Sequence, residues 1–518
     1  MSAVSARFHL QFVIAIDPSL TRGWVVVLAT IIACAGCGDP ASPAASPTTP
    51  AREDVIAQGK APATRAARPK PQPTKHAQTV PQAENPNEAV EPTGEAESSN
   101  TAPAASADGA ITVPREVDEN RAQAHGIRKL TGRHLTLFTD FPIDAEIEQL
   151  PELFDQAVPQ WCGYFGLDSE IADAWRVRGH LMKEKERFQA SGLLPDDLPE
   201  FVNGYSLPNE IWWYDRSSDY YRRHLMLHEG THAFVFMARG TCGPPWYMEG
   251  IAELLGTHTL ENGKLRLRVF PTRPDEVESW GRIRLVRNAV ADGRLLPLAE
   301  IMAYGPGVHL QTEPYGWCWA ACAFLDGHPR YRERFRRLSD ELPQKEFNRH
   351  VLAVFADDWR DLNDEWLVFA AEIEFGYDLA RNAIEFTSGQ HLPADGTELT
   401  IRADCGWQSS GVRLLAGVTY KIVATGRYQL AAGPPVWWCE PNGVTIRYKH
   451  GRPLGQLVGA VRYDDPEAPI GFLQPTVVGL ETEFTPQRSG TLYMRINDSP
   501  AELADNAGTL DVKVSTAQ

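Results

Sequence analysis

Between residues 119 and 390 the apolar side chains repeat with two different periods. Short stretches at 134–139, 175–181 and 210–215 alternate apolar and polar residues or are rich in aromatic ones, which predicts β-strands. Longer stretches at 143–165, 222–237, 277–291, 315–325 and 359–375 carry apolar residues at helical spacing. The mixture predicts an α+β part built from a small sheet and several helices.

After residue 390 the pattern changes to strands alone. Short apolar runs at 399–403, 418–425, 444–448, 455–461 and 491–497 are separated by turn residues at short intervals. Such spacing is typical of an antiparallel β-sandwich. We therefore expect two folded domains, 119–390 and 391–518.

The first 118 residues indicate export rather than a folded domain. An apolar core at 24–35 follows Arg22 and is too short to span a bilayer, for which about 20 residues are needed. Residues 1–37 are therefore predicted to be a signal peptide. Cys34 and Cys37 each lie in a context that resembles the bacterial lipobox, and either could be the lipidated residue. Residues 38–118, rich in Pro, Ala, Thr, Ser and Glu, are predicted to form a disordered tether.

Composition and charge exclude some classes of binding partner and reaction. The net charge is −17, and no basic stretch is interleaved with aromatic residues, so nucleic acid is not an expected partner. A lipid anchor would hold the chain on a membrane in the cell envelope, in the periplasm, at the outer membrane or at the cell surface. Oxidation is expected there, and Cys405 with Cys439 is a reasonable disulfide pair. No G-x-S-x-G stretch supports serine hydrolysis.

The stretch 228–232 reads His-Glu-Gly-Thr-His inside the predicted helix 222–237. Residues four apart lie on one helix face, so His228 and His232 can bind one metal ion, and Glu229 lies near enough to accept a proton from water. Zinc suits such ligands. The alternatives are an incidental pair on a solvated face and a hydrogen-bonded pair in the core; the apolar flanking residues disfavour the first.

A third ligand is expected one short segment later. Pro245 can begin a helix, and Glu249 and Glu253 then lie one turn apart on a common face. The alternative for Glu249 is a carboxylate favoured by the helix dipole.

His-Glu-x-x-His followed by Trp-x-x-Glu-Gly-x-Ala-Glu at 246–253 resembles the gluzincin metallopeptidases over residues 135–375. The resemblance implies a zincin-like fold, zinc, and Glu249 as the third ligand, with Glu253 orienting a histidine. Met248 departs from the asparagine of the aminopeptidases in this group, and their upstream G-A-M-E-N motif is missing. Endopeptidase or narrow-specificity peptidase action is therefore the preferred expectation.

Two further features of a peptidase site have candidates. Tyr315 is the first candidate for stabilising the oxyanion, and His224, His258 and Tyr221 are others. The strand at 211–214 precedes the His-Glu-x-x-His helix and could pair with an extended substrate; the alternative is a plain buried strand.

The C-terminal part resembles the calcium-dependent galactose-binding bacterial lectins. The resemblance rests on 414–417, 422–426 and above all 495–500 continuing to 505–508. It implies calcium bound by Asp498, Asp505 and Asn506, and galactose-type sugars bound through the calcium. Asp505 replaces an asparagine of the lectins. The alternative is a pair of ordinary turns.

The sequence thus predicts a zinc-dependent metallopeptidase of the bacterial cell envelope that hydrolyses a peptide or protein substrate. The competing hypothesis is a carbohydrate-binding envelope lipoprotein whose peptidase part is catalytically degenerate.

Overall fold

The computed structural model describes residues 116–216, 218–307, 311–342 and 345–517. The predicted signal peptide, with Cys34 and Cys37, lies outside these residues, as does the predicted tether up to residue 115. Among the described residues no helix has the length and apolar character needed to cross a membrane.

The first part of the chain contains one five-stranded sheet. Its strands are β1 (Arg128–Thr131), β2 (Leu135–Thr139), β3 (Val177–Met182), β4 (Gly204–Leu207) and β5 (Glu210–Tyr214), in the order β1-β2-β3-β5-β4. The three inner strands β2, β3 and β5 run parallel, and β1 and β4 pair antiparallel at the two ends. Buried parallel strands are expected to be largely apolar, as β5 is after its first residue, Glu210.

This order corrects one expectation. The strand at 211–214 pairs with β3 on one side and with β4 on the other, and it is buried. It therefore cannot offer a free edge to a substrate, and the buried-strand alternative is right. The edge next to it is β4, whose four residues are all half-buried.

Helices make up most of the first part. They are α1 (Glu119–Ala124), α2 (Ala145–Glu148), α3 (Leu150–Tyr164), α4 (Lys185–Ser191), α5 (Asp219–Arg239), α6 (Pro245–Gly256), α7 (Arg282–Ala291), α8 (Leu298–Met302), α9 (Thr312–Gly327), α10 (Arg332–Arg337), α11 (Phe347–Val354), α12 (Trp359–Glu372) and α13 (Leu379–Asn382). A hairpin of β6 (His258–Glu261) and β7 (Lys264–Leu267) follows α6. Its turn residues Asn262 and Gly263 have φ of 51° and 74°, as a two-residue hairpin turn requires.

Helix α5 lies at the centre of this part. It begins after Ser218, whose hydroxyl accepts a hydrogen bond from the Tyr221 amide, and ends at Gly240 in the left-handed conformation. It packs on α3, α6, β4 and β5, so most of its residues are buried. Gly230 allows the contact with α3, because a Cβ there would lie 2.7 Å from Phe154 and 2.9 Å from Trp161.

The second part is built from strands. They are β8 (Gln390–His391), β9 (Thr397–Arg402), β10 (Gln408–Leu414), β11 (Tyr420–Thr425), β12 (Tyr428–Ala431), β13 (Trp437–Cys439), β14 (Asn442–Lys449), β15 (Arg452–Tyr463), β16 (Thr476–Val477), β17 (Glu481–Phe484), β18 (Gly490–Ile496) and β19 (Thr509–Thr516). One sheet has the order β14-β15-β18-β10-β8 with β16 beside β15, and another has the order β17-β11-β19-β9. Their apolar side chains share one core.

The predicted α+β class is therefore confirmed: helices and a small sheet come first, and a β-only part follows. The pairing in the second part is antiparallel apart from the short contact between β8 and β10. Cys405 and Cys439 both have free thiols, so the disulfide expected between them is wrong. Buried Cys439 lies against Gly455, away from Cys405 beside Asp404.

Candidate metal centre

Helix α5 places two imidazoles against each other. His228 and His232 are one turn apart, and their Nε2 atoms are 3.1 Å from one another. Their ring planes are nearly perpendicular, at 87°. Two ring nitrogens at this distance can share one proton or one cation, and a cation would need a further partner.

That partner is Glu249. Helix α6 begins at Pro245, and its second turn carries the Glu249 carboxylate to the histidines. Glu249 Oε2 lies 3.2 Å from His228 Nε2 and 3.6 Å from His232 Nε2. The three atoms form a triangle with edges of 3.1, 3.2 and 3.6 Å. Ligands of a tetrahedral zinc ion at 2.0–2.1 Å would be ~3.3 Å apart, so this donor set fits zinc.

An unsatisfied polar atom supports the same fit. Glu249 Oε2 is buried and has no hydrogen-bond partner among the described residues. A buried carboxylate oxygen without a partner is costly. A cation within the triangle of Glu249, His228 and His232 would satisfy the carboxylate.

The charges of the site also favour a cation. Burial alone would raise the pKa of Glu249, but the rings of His228 and His232 lower it to about 2. Burial disfavours protonation of His228 and His232, yet the surrounding contacts and carboxylates raise the pKa of each ring to about 9. The site therefore attracts positive charge, and a divalent cation with neutral imidazoles supplies it equally well.

Glu229 lies beside the triangle with its carboxylate against the edge strand. A Cβ at Gly204 of β4 would lie 2.8 Å from Glu229 Cδ and 2.9 Å from Cγ, so only glycine leaves room for this carboxylate. Burial raises the pKa of Glu229, while His228 and His232 oppose the rise. Such a carboxylate is suited to accepting a proton.

Glu253, one turn after Glu249, lies behind the histidines. Its Oε1 is 3.5 Å from His228 Nδ1, and its Oε2 is 3.2 Å from His224 Nε2. The carboxylate accepts two hydrogen bonds from the Arg282 guanidinium, at 2.7 and 2.9 Å, and one from the Trp280 indole at 3.1 Å. Glu253 is therefore fixed next to a metal-ligand candidate and is neutralised by arginine.

His224, His228 and Glu253 form a second group with donor atoms close enough for a metal. The guanidinium of Arg282 already pairs with this carboxylate, and a second cation there would meet its charge. The group formed by His228, His232 and Glu249 is the better metal site.

Tyr315 is close to the site. Its ring centroid is 6.1 Å from that of His228, and the Arg282 guanidinium carbon is 5.4 Å from its ring centroid. Burial and the nearby carboxylates raise the pKa of its hydroxyl, so the hydroxyl remains a donor at neutral pH.

The other oxyanion candidates are engaged elsewhere. The Tyr221 hydroxyl lies 3.4 Å from Arg282 Nη2. His258 stacks on Tyr220 with ring centroids 4.5 Å apart, and burial lowers its pKa to about 3. The rings of Tyr315 and His224, by contrast, lie 6.1 and 6.0 Å from that of His228, and His224 Nε2 contacts Glu253.

Trp280, Arg282 and Gly204 complete the site, and none of them could be identified from sequence patterns. Trp280 and Arg282 lie 27 and 29 positions after the carboxylate that they hold. No local spacing relates them to it. The one usable signal is Glu253 itself. A second carboxylate on the buried face of α6 requires a cationic partner, which predicts an arginine or lysine beside it.

In the β part, the loop at 498–506 brings two of three predicted calcium ligands together. Asn506 Nδ2 donates to Asp498 Oδ2 at 2.8 Å, and both residues are buried. Asp505 is exposed, and its backbone oxygen accepts a hydrogen bond from Gln429. Burial raises the pKa of Asp498 to about 6. The Asn506 Oδ1 atom is buried without a partner among the described residues.

Comparisons with known proteins are distant. No protein-family model matches the chain, and no curated protein matches it. The EclA N-terminal domain, a PllA-like lectin, is 19% identical over 23% of this chain and 95% of its own, with a TM-score of 0.19. An aminopeptidase N family protein from Idiomarina loihiensis is 11% identical over 76% of this chain and 69% of its own, with a TM-score of 0.27. At these TM-scores neither likeness supports a function, and the geometry of the site has to do so.

Proposed function

We propose that this protein is a zinc-dependent peptidase, with His228, His232 and Glu249 as the metal ligands. The observation that carries the proposal is the triangle of donor atoms with edges of 3.1, 3.2 and 3.6 Å. One of these atoms, Glu249 Oε2, is a buried carboxylate oxygen without a hydrogen-bond partner among the described residues. Zinc, when bound at such a site, polarises a scissile carbonyl and lowers the pKa of water.

The residues of the chain supply the proton transfers. Glu229 accepts the proton of the attacking water and passes it to the leaving amine. The Tyr315 hydroxyl donates a hydrogen bond to the oxyanion of the tetrahedral intermediate. Glu253 lies 3.5 Å from His228 Nδ1 and would orient this ring toward a bound metal, and Arg282 keeps Glu253 ionised.

A peptide fits this site better than a smaller substrate. The edge strand β4 lies directly against Glu229, and its outer side has no strand partner among the described residues. An extended substrate can add to such an edge through backbone hydrogen bonds. Its scissile bond would then lie beside the metal ligands.

Metal analysis combined with peptide hydrolysis tests the proposal. We expect one zinc ion per purified molecule. Glu229→Gln should retain zinc and lose hydrolysis by about 100-fold or more, the usual contribution of a general base. Glu249→Gln should lose zinc. Glu261→Gln, at an exposed position of β6, is the matched control and should change neither. Zinc-free wild-type protein whose hydrolysis is unaffected by Glu249→Gln would refute the proposal.

We also propose that the chain is exported and anchored to the envelope membrane through a lipid on Cys34 or Cys37. The support is the sequence alone, since both cysteines lie outside the described residues. Metabolic labelling with a fatty-acid analogue, in Cys34→Ala and Cys37→Ala, identifies the modified residue. Equal labelling in the double variant would exclude both.

A calcium ion in the β part is a second proposal, favoured by the unpartnered Asn506 Oδ1 beside the buried Asp498 carboxylate. Asp498 is only 4% exposed, so a sugar could not reach an ion there as the loop stands. We expect calorimetry to detect calcium binding that Asp498→Asn abolishes. A glycan array with and without calcium then decides the lectin hypothesis; calcium-independent binding, or none, would refute it.

A further inference from the structure

An arginine-lined cavity lies apart from the candidate metal centre. It has a volume of about 630 Å³ and is formed between the end of α3, the strand β7 with the segment after it, and α10. None of its lining residues is a metal-ligand candidate. A cavity of this size is typical of small-molecule sites.

Its charge is unusual for a chain of net charge −17. Arg266, Arg268 and Arg336 all line the cavity. Arg268 and Arg336 share a single carboxylate, the buried Asp326, at 2.8 Å each. The Arg266 side chain has no hydrogen bond or ion pair with any described residue. Three guanidinium groups thus line the cavity, and the one carboxylate that pairs with two of them leaves an excess of positive charge.

An aromatic ring and apolar side chains orient these arginines. The guanidinium carbons of Arg268 and Arg336 lie 5.8 and 5.7 Å from the centroid of the Tyr164 ring. Leu267 and Phe270 add apolar surface to the same cavity. The cation–π contact with Tyr164 and the ion pair with Asp326 restrict the guanidinium groups of Arg268 and Arg336, which favours binding of an oxyanion through their N–H groups.

The backbone at Arg268 is consistent with a binding role. Its φ is 60°, in the left-handed region that glycine adopts without strain and other residues rarely adopt. Strained positions of this kind concentrate at ligand sites. Arginine at this position is therefore explained by a role of its side chain and not by the backbone conformation, which favours glycine.

From these observations we propose that the cavity binds an organic anion in which a carboxylate or phosphate group is attached to an apolar group. The arginines bind the oxyanion by paired N–H donors. The apolar group contacts Leu267, Phe270 and the free part of the Tyr164 ring. This site is independent of the proposed peptidase chemistry.

Calorimetry with small probes on the full chain tests the site. N-acetyl-phenylalanine and phenyl phosphate should both bind, and N-acetyl-phenylalaninamide, which lacks the charge, should bind at least tenfold more weakly. The stronger of the two anions identifies the oxyanion source. Inorganic phosphate should also bind more weakly than phenyl phosphate. If the amide binds as well as the acid, or neither anion binds, the proposal is wrong.

Three variants locate the binding. Arg266→Ala removes the guanidinium that has no ion pair. Arg268→Gly removes one of the two guanidinium groups paired with Asp326 and places glycine where the backbone is left-handed. Both variants should therefore fold. Each should weaken binding of the anions at least tenfold. Arg287→Ala, at an exposed arginine of α7 without an ion pair among the described residues, is the control. Equal weakening in all three variants would show a nonspecific charge effect and overturn the proposal.

Discussion

At the scale of single residues, the candidate site depends on groups that hold the metal-ligand candidates in place. Glu253 is 1% exposed, and its charge is compensated by Arg282 rather than by water. The carboxylate in turn lies 3.5 Å from His228 Nδ1. Groups behind metal ligands commonly fix the orientation of an imidazole and raise its basicity. Arg282 would therefore affect a metal bound by the candidate ligands through Glu253, without touching it.

Arg282→Met should weaken zinc binding about 10- to 100-fold, the usual effect of losing a group behind a metal ligand. The physical reason is that Glu253, left without its cation, will reorient or become protonated. Competition with a chromophoric chelator measures the affinity. Arg284→Met, at an exposed position of the same helix, should leave it unchanged. Unchanged affinity in Arg282→Met would show that Glu253 does not orient His228.

Gly204 offers a second test at this scale. A Cβ there would overlap the Glu229 carboxylate. We expect Gly204→Ala to lower kcat for peptide hydrolysis at least tenfold while zinc content stays at one per molecule, because the displaced group is the base and not a ligand. Gly305→Ala, where an added Cβ meets nothing within 4 Å, is the control. Loss of zinc in Gly204→Ala would contradict this division of roles.

The metal-ligand candidates could be proposed from sequence because their spacing follows from helix geometry. His228 and His232 are four apart, and Pro245 sets the start of the helix that carries Glu249. Arg282 and Gly204 could not be proposed in this way. Each reaches the site through tertiary packing, and neither has a fixed distance in sequence from its partner.

At the scale of elements, α5, α9 and α12 were predicted within three residues at each end, because apolar residues recur over several turns. The helix predicted at 277–291 begins only at Arg282, and the one predicted at 143–165 is divided into α2 and α3. The edge strand β4 was missed: Gly204–Leu207 is short, half-buried at every position and lacks alternation. The β6–β7 hairpin had a usable signal in Asn262-Gly263, a pair that favours a two-residue turn. Short strands are stabilised by contacts with elements distant in sequence, and the local sequence does not show which elements those are.

Two glycines in helices test how closely elements pack. Alanine has about 1 kcal/mol higher helix propensity than glycine. In Gly163→Ala an added Cβ on α3 meets nothing within 4 Å, so this gain should appear as higher stability. In Gly230→Ala the Cβ would meet Phe154 at 2.7 Å and Trp161 at 2.9 Å. Overpacking costs about 1–3 kcal/mol and should exceed the gain.

Urea denaturation of both glycine variants gives the comparison directly. We expect the free energy of unfolding to rise for Gly163→Ala and to fall for Gly230→Ala. A rise for both would mean that α3 and α5 can move apart at little cost. Zinc binding should then also survive in Gly230→Ala, since its neighbours His228 and His232 would be undisturbed.

At the scale of the whole molecule, the β part is joined to α12 by apolar and charged contacts. Val368 of α12 packs with Trp407, Phe472 and Tyr493. The loop after β18 adds polar contacts, since the Pro500 carbonyl accepts a hydrogen bond from the Asp378 amide at 3.1 Å. The loop that the lectin resemblance assigns to calcium is therefore also part of this junction, which explains the burial of Asp498.

Arg495 forms the most buried ion pair of this junction. Its guanidinium donates two hydrogen bonds to Glu372, one of them at 2.8 Å, and the two side chains are 7% and 11% exposed. Removing one partner of such a pair leaves the other buried and unpaired. Arg495→Met should therefore lower the free energy of unfolding by about 3–5 kcal/mol, as measured by urea denaturation.

The double variant Arg495→Met, Glu372→Leu should recover most of this loss, because no buried charge then remains without a partner. Asp361→Asn is the matched control. Asp361 is 30% exposed, and Arg462 keeps a second carboxylate, Asp364, at 2.8 Å. Its replacement should cost about 1 kcal/mol or less. If Arg495→Met costs no more than Asp361→Asn, the junction is solvated in solution, and Asp498 is then accessible for a sugar-binding calcium site.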